Sequence, residues 1–207
     1  MNKTFLHIGC GRNKKSDTTF GFNQSNWIEK RVDIDPEVSP DIVCDMLDMR
    51  MISSQSIDAV FSSHNIEHLY PYQVNTALNE FYRVLNMDGY LVLTCPNLKP
   101  LGEFLSNDKL LEPLYKSQSG PVTAIDILYG FRPSLAKGNH FMAHRCGFTK
   151  SILTACLQEA SFKSTATIER SNPFFDLWTI ASKNILNEDE LMNLAKDHFP
   201  VKSLTKK

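Results

Sequence analysis

Nowhere in the 207 residues does an apolar run approach the ~20 residues that a membrane-spanning helix needs, so no membrane span is expected. Met1–Ile8 likewise lacks the apolar stretch of a secretory leader, and the expected location is the cytoplasm. Excess charge of either sign is missing, with 22 basic against 23 acidic side chains and a net charge of −1. Without a basic arm or surplus, nucleic acid and anionic membrane surfaces are not the expected partners. Cysteine is sparse and odd in number: Cys10, Cys44, Cys95, Cys146 and Cys156 show no C-x-x-C spacing. A disulfide framework and a cysteine zinc knuckle are thereby set aside. Internal repeats and low-complexity segments are absent, and a hydrophobic content of 42% excludes a collagen-like or disordered chain. Length and composition fit one globular domain over residues 1–207.

Alternation of strand-like and helix-like segments dominates what is there. Thr4–Ile8 is a short apolar run halted by Gly9-Cys10-Gly11, which reads as a buried strand followed by a tight turn. Residues 12–26 have many turn formers and no helical repeat, so a loop should lead to a second strand at 27–34. Short strands follow at 41–45 and 57–62. Between Tyr72 and Asn86, Val74, Ala77, Leu78, Phe81, Val84 and Leu85 recur at three and four, one face of an amphipathic helix. A turn at Met87–Gly89 should then enter a strand at 90–95, stopped by Pro96-Asn97. Strands separated by such a helix fit a parallel crossover sheet.

Residues 98–148 break the pattern, punctuated by Pro100, Pro113, Pro121 and Pro133 and by several glycines. This stretch is too long for a connector and is expected to be a lid or substrate-binding insertion. Thr149 can cap a helix carrying Ile152, Leu153, Cys156, Leu157 and Ala160 on one stripe. Strands near 163–169 and 177–182 and a helix at 187–198 complete the expectation, with a frayed tail to residue 207. The fold class is α/β: a Rossmann-like, open, mostly parallel sheet of about seven strands with flanking helices and an irregular insertion after the fifth strand.

In such sheets, ligands bind beyond the carboxyl ends of the strands, where Gly9-Cys10-Gly11, Asp33, Asp45 and Ser63 collect. Asp33 lies 22 residues beyond Gly11, the spacing of an acid that hydrogen-bonds a ribose. Five pieces occur in order: Phe5–Gly11, Val32-Asp-Ile-Asp-Pro36, Asp45-Met46-Leu47, Asp58–Leu69, and Glu80–Leu85 leading to Gly89–Asn97. Together they make the chain resemble the class I S-adenosylmethionine-dependent methyltransferases, within them the small subgroup with a short loop between the first two strands. The resemblance implies that Gly9, Cys10 and Gly11 face the methionine and ribose part of the cofactor. It further implies that Asp33, next to Ile34, holds the ribose hydroxyls and that Asp45, next to Met46, accepts from the adenine amino group. Ser63 and His64 would pass beside the methionine end. His7 stands in the cofactor motif where the family usually has an acid, and Asn13 where many members have a third glycine. Arg12, Asn13 and Lys14 are therefore candidates to meet the cofactor's carboxylate.

The implied reaction is in-line transfer of the sulfonium methyl to a small-molecule or glycan-type acceptor. The sulfonium is a ready leaving group, so alignment and exclusion of water are the protein's main work. If the acceptor needs a base, His64 is the first candidate, ahead of His140 and His144. Tyr129, Phe131, Arg132, His140, His144 and Arg145 give the insertion a character suited to an acidic or sugar-like acceptor. Other classes stay in view. One is a cofactor-binding module without turnover that serves a partner protein. Another is a dinucleotide oxidoreductase, which lacks the third glycine and the helix N-terminus that a pyrophosphate needs. His64-Asn65-Ile66-Glu67-His68 spells the H-x-x-E-H of zinc hydrolases, but Pro71 leaves little room for the required helix. His140, His144 and Cys146 are read as lid residues, and no metal site is expected.

Overall fold

The computed structural model describes residues 2–117 and 119–200. Burial on both faces of the first strand sets the architecture. In β1 (Lys3–Ile8), Phe5 belongs to the apolar cluster on one side of the sheet and Leu6 and Ile8 to the cluster on the other. A strand covered on both faces reads as a continuous apolar run rather than an alternating one.

The chain continues through β2 (Trp27–Asp33), β3 (Ile42–Val43), β4 (Ile57–Ser63), α1 (Pro71–Val84), β5 (Leu85–Pro96) and α2 (Leu101–Ser106). Then come β6 (Pro113–Ser117), β7 (Gly120–Thr123), α3 (Ala124–Tyr129), α4 (Arg132–Leu135), α5 (Lys150–Glu159), β8 (Ser164–Arg170), β9 (Asp176–Ser182) and α6 (Glu188–His198). Seven strands form one sheet in the order β3-β2-β1-β4-β5-β9-β8. The first five are parallel, and β9 runs antiparallel to both β5 and β8. Strand order reverses between β1 and β4, which opens a crevice at their carboxyl ends. No described helix is long and apolar enough to cross a membrane.

One face of the sheet is covered by helices. Val74, Ala77, Leu78, Phe81 and Val84 of α1 join Leu153 and Leu157 of α5 in a cluster with Leu6, Ile8 and Val60. The opposite face has no helix after β1. There the 12–26 loop supplies Phe22, fully buried and stacked on Phe5 with ring centroids 4.3 Å apart. The C-terminal segment locks this loop in place: Gly21 donates to Asp197 O at 2.7 Å, and His198 bridges Thr19 Oγ1 at 2.6 Å and Tyr90 OH at 2.9 Å.

Two elements differ from the sequence expectation. Strand β5 begins at Leu85, because Leu85 pairs with Ile57 and Tyr90 with Ala59. The residues expected to form a turn at Met87–Gly89 are a bulge within the strand instead. Residues 98–147 are also better ordered than an irregular insertion. They contain α2, the β6–β7 hairpin, α3 and α4 around a small core of Leu101, Val122, Ala124 and Ile127, joined by Phe175 from the segment before β9. The neck closes where Leu98 donates to Phe148 O at 2.9 Å. From Val201 onward, the expected tail lies outside the described residues.

Candidate active site

The turn after β1 is built by two glycines with different duties. Gly9 has φ +60°, and a Cβ there would stand 2.1 Å from Asn65 Oδ1. Asn65 fills that space because its amide donates to Ile8 O at 2.9 Å and Ser63 O at 3.0 Å, tying the end of β1 to the end of β4. Gly9 therefore makes room for a side chain of the protein rather than for a ligand. Gly11, at φ +52°, has nothing within 4 Å of its missing Cβ and leaves the turn open on that side. Between them, Cys10 is buried, and burial pushes its thiol up to about 11.

Asp33 ends β2 and reaches this turn. Its Oδ2 accepts from Gly11 N at 2.7 Å and its Oδ1 from Asp35 N at 3.0 Å. The carboxylate is half-buried and keeps acceptor capacity on both oxygens. Ile34 is 49% exposed beside it. Cys44 donates to Asp33 O at 2.9 Å, which brings Asp45 to the same end of the sheet, exposed and accepting from Leu47 N. Met46 packs against the main core. Ser63 shares a 2.7 Å hydrogen bond with Thr94 at the ends of β4 and β5. Arg12, Asn13 and Lys14 are exposed.

His7 is placed differently from a cofactor contact. Only 3% exposed, it pairs through Nδ1 with Glu29 at 2.7 Å, and burial holds its pKa below the ordinary value. Glu29 in turn accepts from Lys15 N at 2.9 Å, so the pair anchors the loop behind the turn. The acid that the resemblance expects at position 7 has a counterpart on the neighbouring strand. Arg31 is a contributor that the motif reading missed: its guanidinium donates to Gly11 O at 2.6 Å, Asn13 O at 3.0 Å and Ser39 O at 2.8 Å. It holds together the two loops that frame Asp33. Glu29, Lys30 and Arg31 are three consecutive charges in the strand, and nothing in the sequence singles out Arg31 among them.

A cavity of ≈ 300 Å³ opens at the ends of β4 and β5, beneath the insertion. His64, Glu67, His68, Asp126 and His144 supply its polar lining, and Tyr115, Phe131, Phe174 and Phe175 its aromatic walls. His64 follows β4 directly in a left-handed conformation (φ 53°), its backbone N–H on Thr94 O at 2.9 Å. The Ile66–His68 segment is a single 3-10 turn, so the continuous helix of an H-x-x-E-H hydrolase does not form. Glu67 is 1% exposed, and its Oε1 lies 3.3 Å from His64 Nδ1. Partial burial disfavours the imidazolium of His64, but the Glu67 carboxylate outweighs this and pushes the His64 pKa above its ordinary value. Burial alone would raise Glu67; the imidazoles of His64, His68 and His144 draw it lower instead.

The residues expected to give the insertion a basic grip are spent elsewhere. Arg132 is bound to Asp126 at 2.8 Å, holding that carboxyl down to about 2 against the cost of burial. Arg145 donates to His68 O at 2.9 Å and lies over Tyr70. Tyr129 and His140 face solvent, whereas Phe131 and His144 do line the cavity. Among the described lining residues there is no lysine or arginine, which removes the argument for an acidic acceptor.

Residues 6–93, from β1 to β5, match the family model for a methyltransferase domain. No curated protein matches the sequence significantly. Among solved structures, the PH0226 protein of Pyrococcus horikoshii superposes with a TM-score of 0.60 at 15% identity, over 89% of this chain and 83% of that one. A Thermotoga maritima SAM-dependent methyltransferase, described as a possible histamine N-methyltransferase, gives 0.55 at 13% identity over 89% and 84%. The 1,6-didemethyltoxoflavin-N1-methyltransferase of Burkholderia thailandensis, solved with 1,6-didemethyltoxoflavin and S-adenosylhomocysteine, gives 0.54 at 14% over 89% and 72%. Identities this low speak for the fold, and the family match adds the class. Residues 6–93 thus resemble a methyltransferase domain, set in a fold of the class I methyltransferase type. The sheet, the open Gly11 turn and the Asp33 carboxylate fit S-adenosylmethionine, the cofactor of such domains.

Proposed function

We propose that this enzyme methylates a small molecule of one or two rings, bearing a hydroxyl or amine nucleophile, held in the cavity under the insertion. The observation that carries the reading is that cavity: its ≈ 300 Å³ lies at the low end of ligand-sized sites and suits a compact molecule better than a glycan chain. Its aromatic walls favour a planar body, and His64, Glu67, His68 and His144 offer it polar partners. A neighbour of this fold carries a small-molecule acceptor, which is consistent with the proposal.

In this reading, Asp33 accepts from the ribose hydroxyls, the open side of Gly11 lets the cofactor approach the backbone, and Asp45 and Ile34 meet the adenine end. Ser63 and His64 border its methionine end, as the resemblance implies. Bound S-adenosylmethionine supplies an electrophilic methyl on a leaving group that needs no acid. His64 takes the acceptor's proton at its ring nitrogen, and Glu67 orients the ring through the 3.3 Å contact. Insertion residues Phe131 and Val122 exclude water around the acceptor. The test is an acceptor panel read by mass spectrometry for a 14 Da gain in the presence of S-adenosylmethionine. Methylated one- or two-ring products are expected; turnover only on oligosaccharides, or cofactor binding with no turnover on any acceptor, would reject the proposal.

A further inference from the structure

Glu67 poses a problem that its single contact with His64 leaves unsolved. Its side chain is 1% exposed, and apart from the 3.3 Å approach of His64 Nδ1 to Oε1, which lacks hydrogen-bond geometry, neither carboxylate oxygen has a polar partner among the described residues. A carboxylate removed from water with one long imidazole contact and no well-formed hydrogen bond is costly to hold, and a bound cation would offset that cost. The groups around it are those that hold cations. One ligand atom from each of Glu67, His68 and His144 lies within 4.8 Å of the other two, and the imidazole rings of His68 and His144 are 5.0 Å apart.

The two histidines are also prepared in the manner of metal ligands. His68 Nδ1 is 3.1 Å from Ala143 O, and His144 Nδ1 is 2.7 Å from Ile127 O. A carbonyl oxygen only accepts, so each Nδ1 carries the proton and each Nε2 keeps its lone pair. Donation of the second ring N–H to a backbone carbonyl fixes tautomer and orientation in metal-bound histidines. The pieces come from distant parts of the chain: a 3-10 turn after β4 supplies Glu67 and His68, and the end of the insertion supplies His144.

We propose that Glu67, His68 and His144 bind a divalent transition cation of the zinc class in the acceptor cavity. Two imidazoles and one carboxylate suit such an ion rather than magnesium or calcium, which prefer oxygen. Bonds of ~2.1 Å in a tetrahedral set place ligand atoms roughly 3.4 Å apart, so from separations within 4.8 Å binding would draw the three groups together by at most about 1.4 Å. Three protein ligands leave a position open toward the cavity, the pattern of a catalytic rather than a structural ion. On the methyl-transfer reading, an acceptor hydroxyl at that position would lose its proton to His64 more readily, its O–H bond breaking as an N–H bond forms.

The test uses the full chain, freed of metal by chelation and titrated with zinc, with cobalt absorption as a check on geometry. Wild type is expected to take up one equivalent. Glu67→Gln and His144→Ala should each lose more affinity than the roughly 10–100-fold that removing an outer partner costs, while retaining wild-type circular dichroism and cooperative unfolding. Cys146→Ser, which removes the nearest thiol of the segment, should bind as wild type does. Absence of zinc binding in wild type, or equal binding in both ligand variants, would overturn the site. S-adenosylhomocysteine titrated into the same samples separates the two claims: cofactor binding without zinc binding rejects the metal alone, and zinc binding without cofactor binding rejects methyl transfer alone.

Discussion

Gly9 and Gly11 share a left-handed backbone and differ in what stands beside them. An alanine at either position pays about 1–2 kcal/mol for its conformation. At Gly9 the new methyl also displaces Asn65 and the hydrogen bonds that join β1 to β4. Gly9→Ala is therefore expected to lower the unfolding temperature more than Gly11→Ala. Gly11→Ala should instead weaken S-adenosylhomocysteine, because its methyl enters the open side of the turn. Thermal unfolding and calorimetry on the two variants check both expectations, and the reverse pattern would show that Gly9 is the ligand's glycine. For His64, replacement by glutamine should cut turnover by roughly 10²–10⁴-fold, far more than it weakens S-adenosylhomocysteine binding. Full turnover in His64→Gln, measured once an acceptor is known, would remove it as the base. At this scale the position of Asp33, Asp45 and Ser63 at one end of the sheet was legible because strand ends and spacing are local features. Arg31 was not, since its partners come from separate loops that only the folded chain brings together, and for Glu67 the H-x-x-E-H spelling showed its local neighbours but not the approach of His144.

Among the elements, the 12–26 loop departs most from its plain appearance. Its sequence reads as a loop, and it is one, yet Phe22 occupies the place of a helix on that face of the sheet. The stacking partner Phe5 lies before the loop and the clamp His198 lies in the C-terminal helix, so no local pattern announces the packing. Phe22→Ala should cost about 3–5 kcal/mol, measured by urea unfolding. His198 adds a pH dependence of known sign. Burial holds its pKa down to about 4, against about 6.5 in an unfolded chain. The unfolded state therefore binds the proton first; this contribution is complete above pH 6.5 and is lost as pH falls toward 4, by up to about 3 kcal/mol. Unfolding midpoints between pH 7 and 4.5 should decline in wild type and less so in His198→Asn. An equal decline in both would place the acid sensitivity elsewhere. The bulge in β5 was illegible for a different reason: Met87-Asp88-Gly89 has the chemistry of a turn, and only the pairing of Leu85 with Ile57 makes it part of a strand.

For the whole molecule, the parallel sheet and its reversal of strand order put the candidate ligand-facing residues at one end, and the sequence carried that much through its strand ends and its helix spacing. The insertion could be located but not read, because its elements are short and its core borrows Phe175 from beyond α5. The account rests on S-adenosylmethionine occupying the crevice between Gly11, Asp33 and Asp45. Calorimetric titration of S-adenosylhomocysteine into wild type and Asp33→Ala tests this most directly. One site per chain in wild type, weakened at least tenfold in a folded Asp33→Ala protein, is the expected result, since hydrogen bonds to a charged group contribute about 1.5–3 kcal/mol. Equal affinity in the two proteins, or no binding to folded wild type, would contradict the placement of the cofactor.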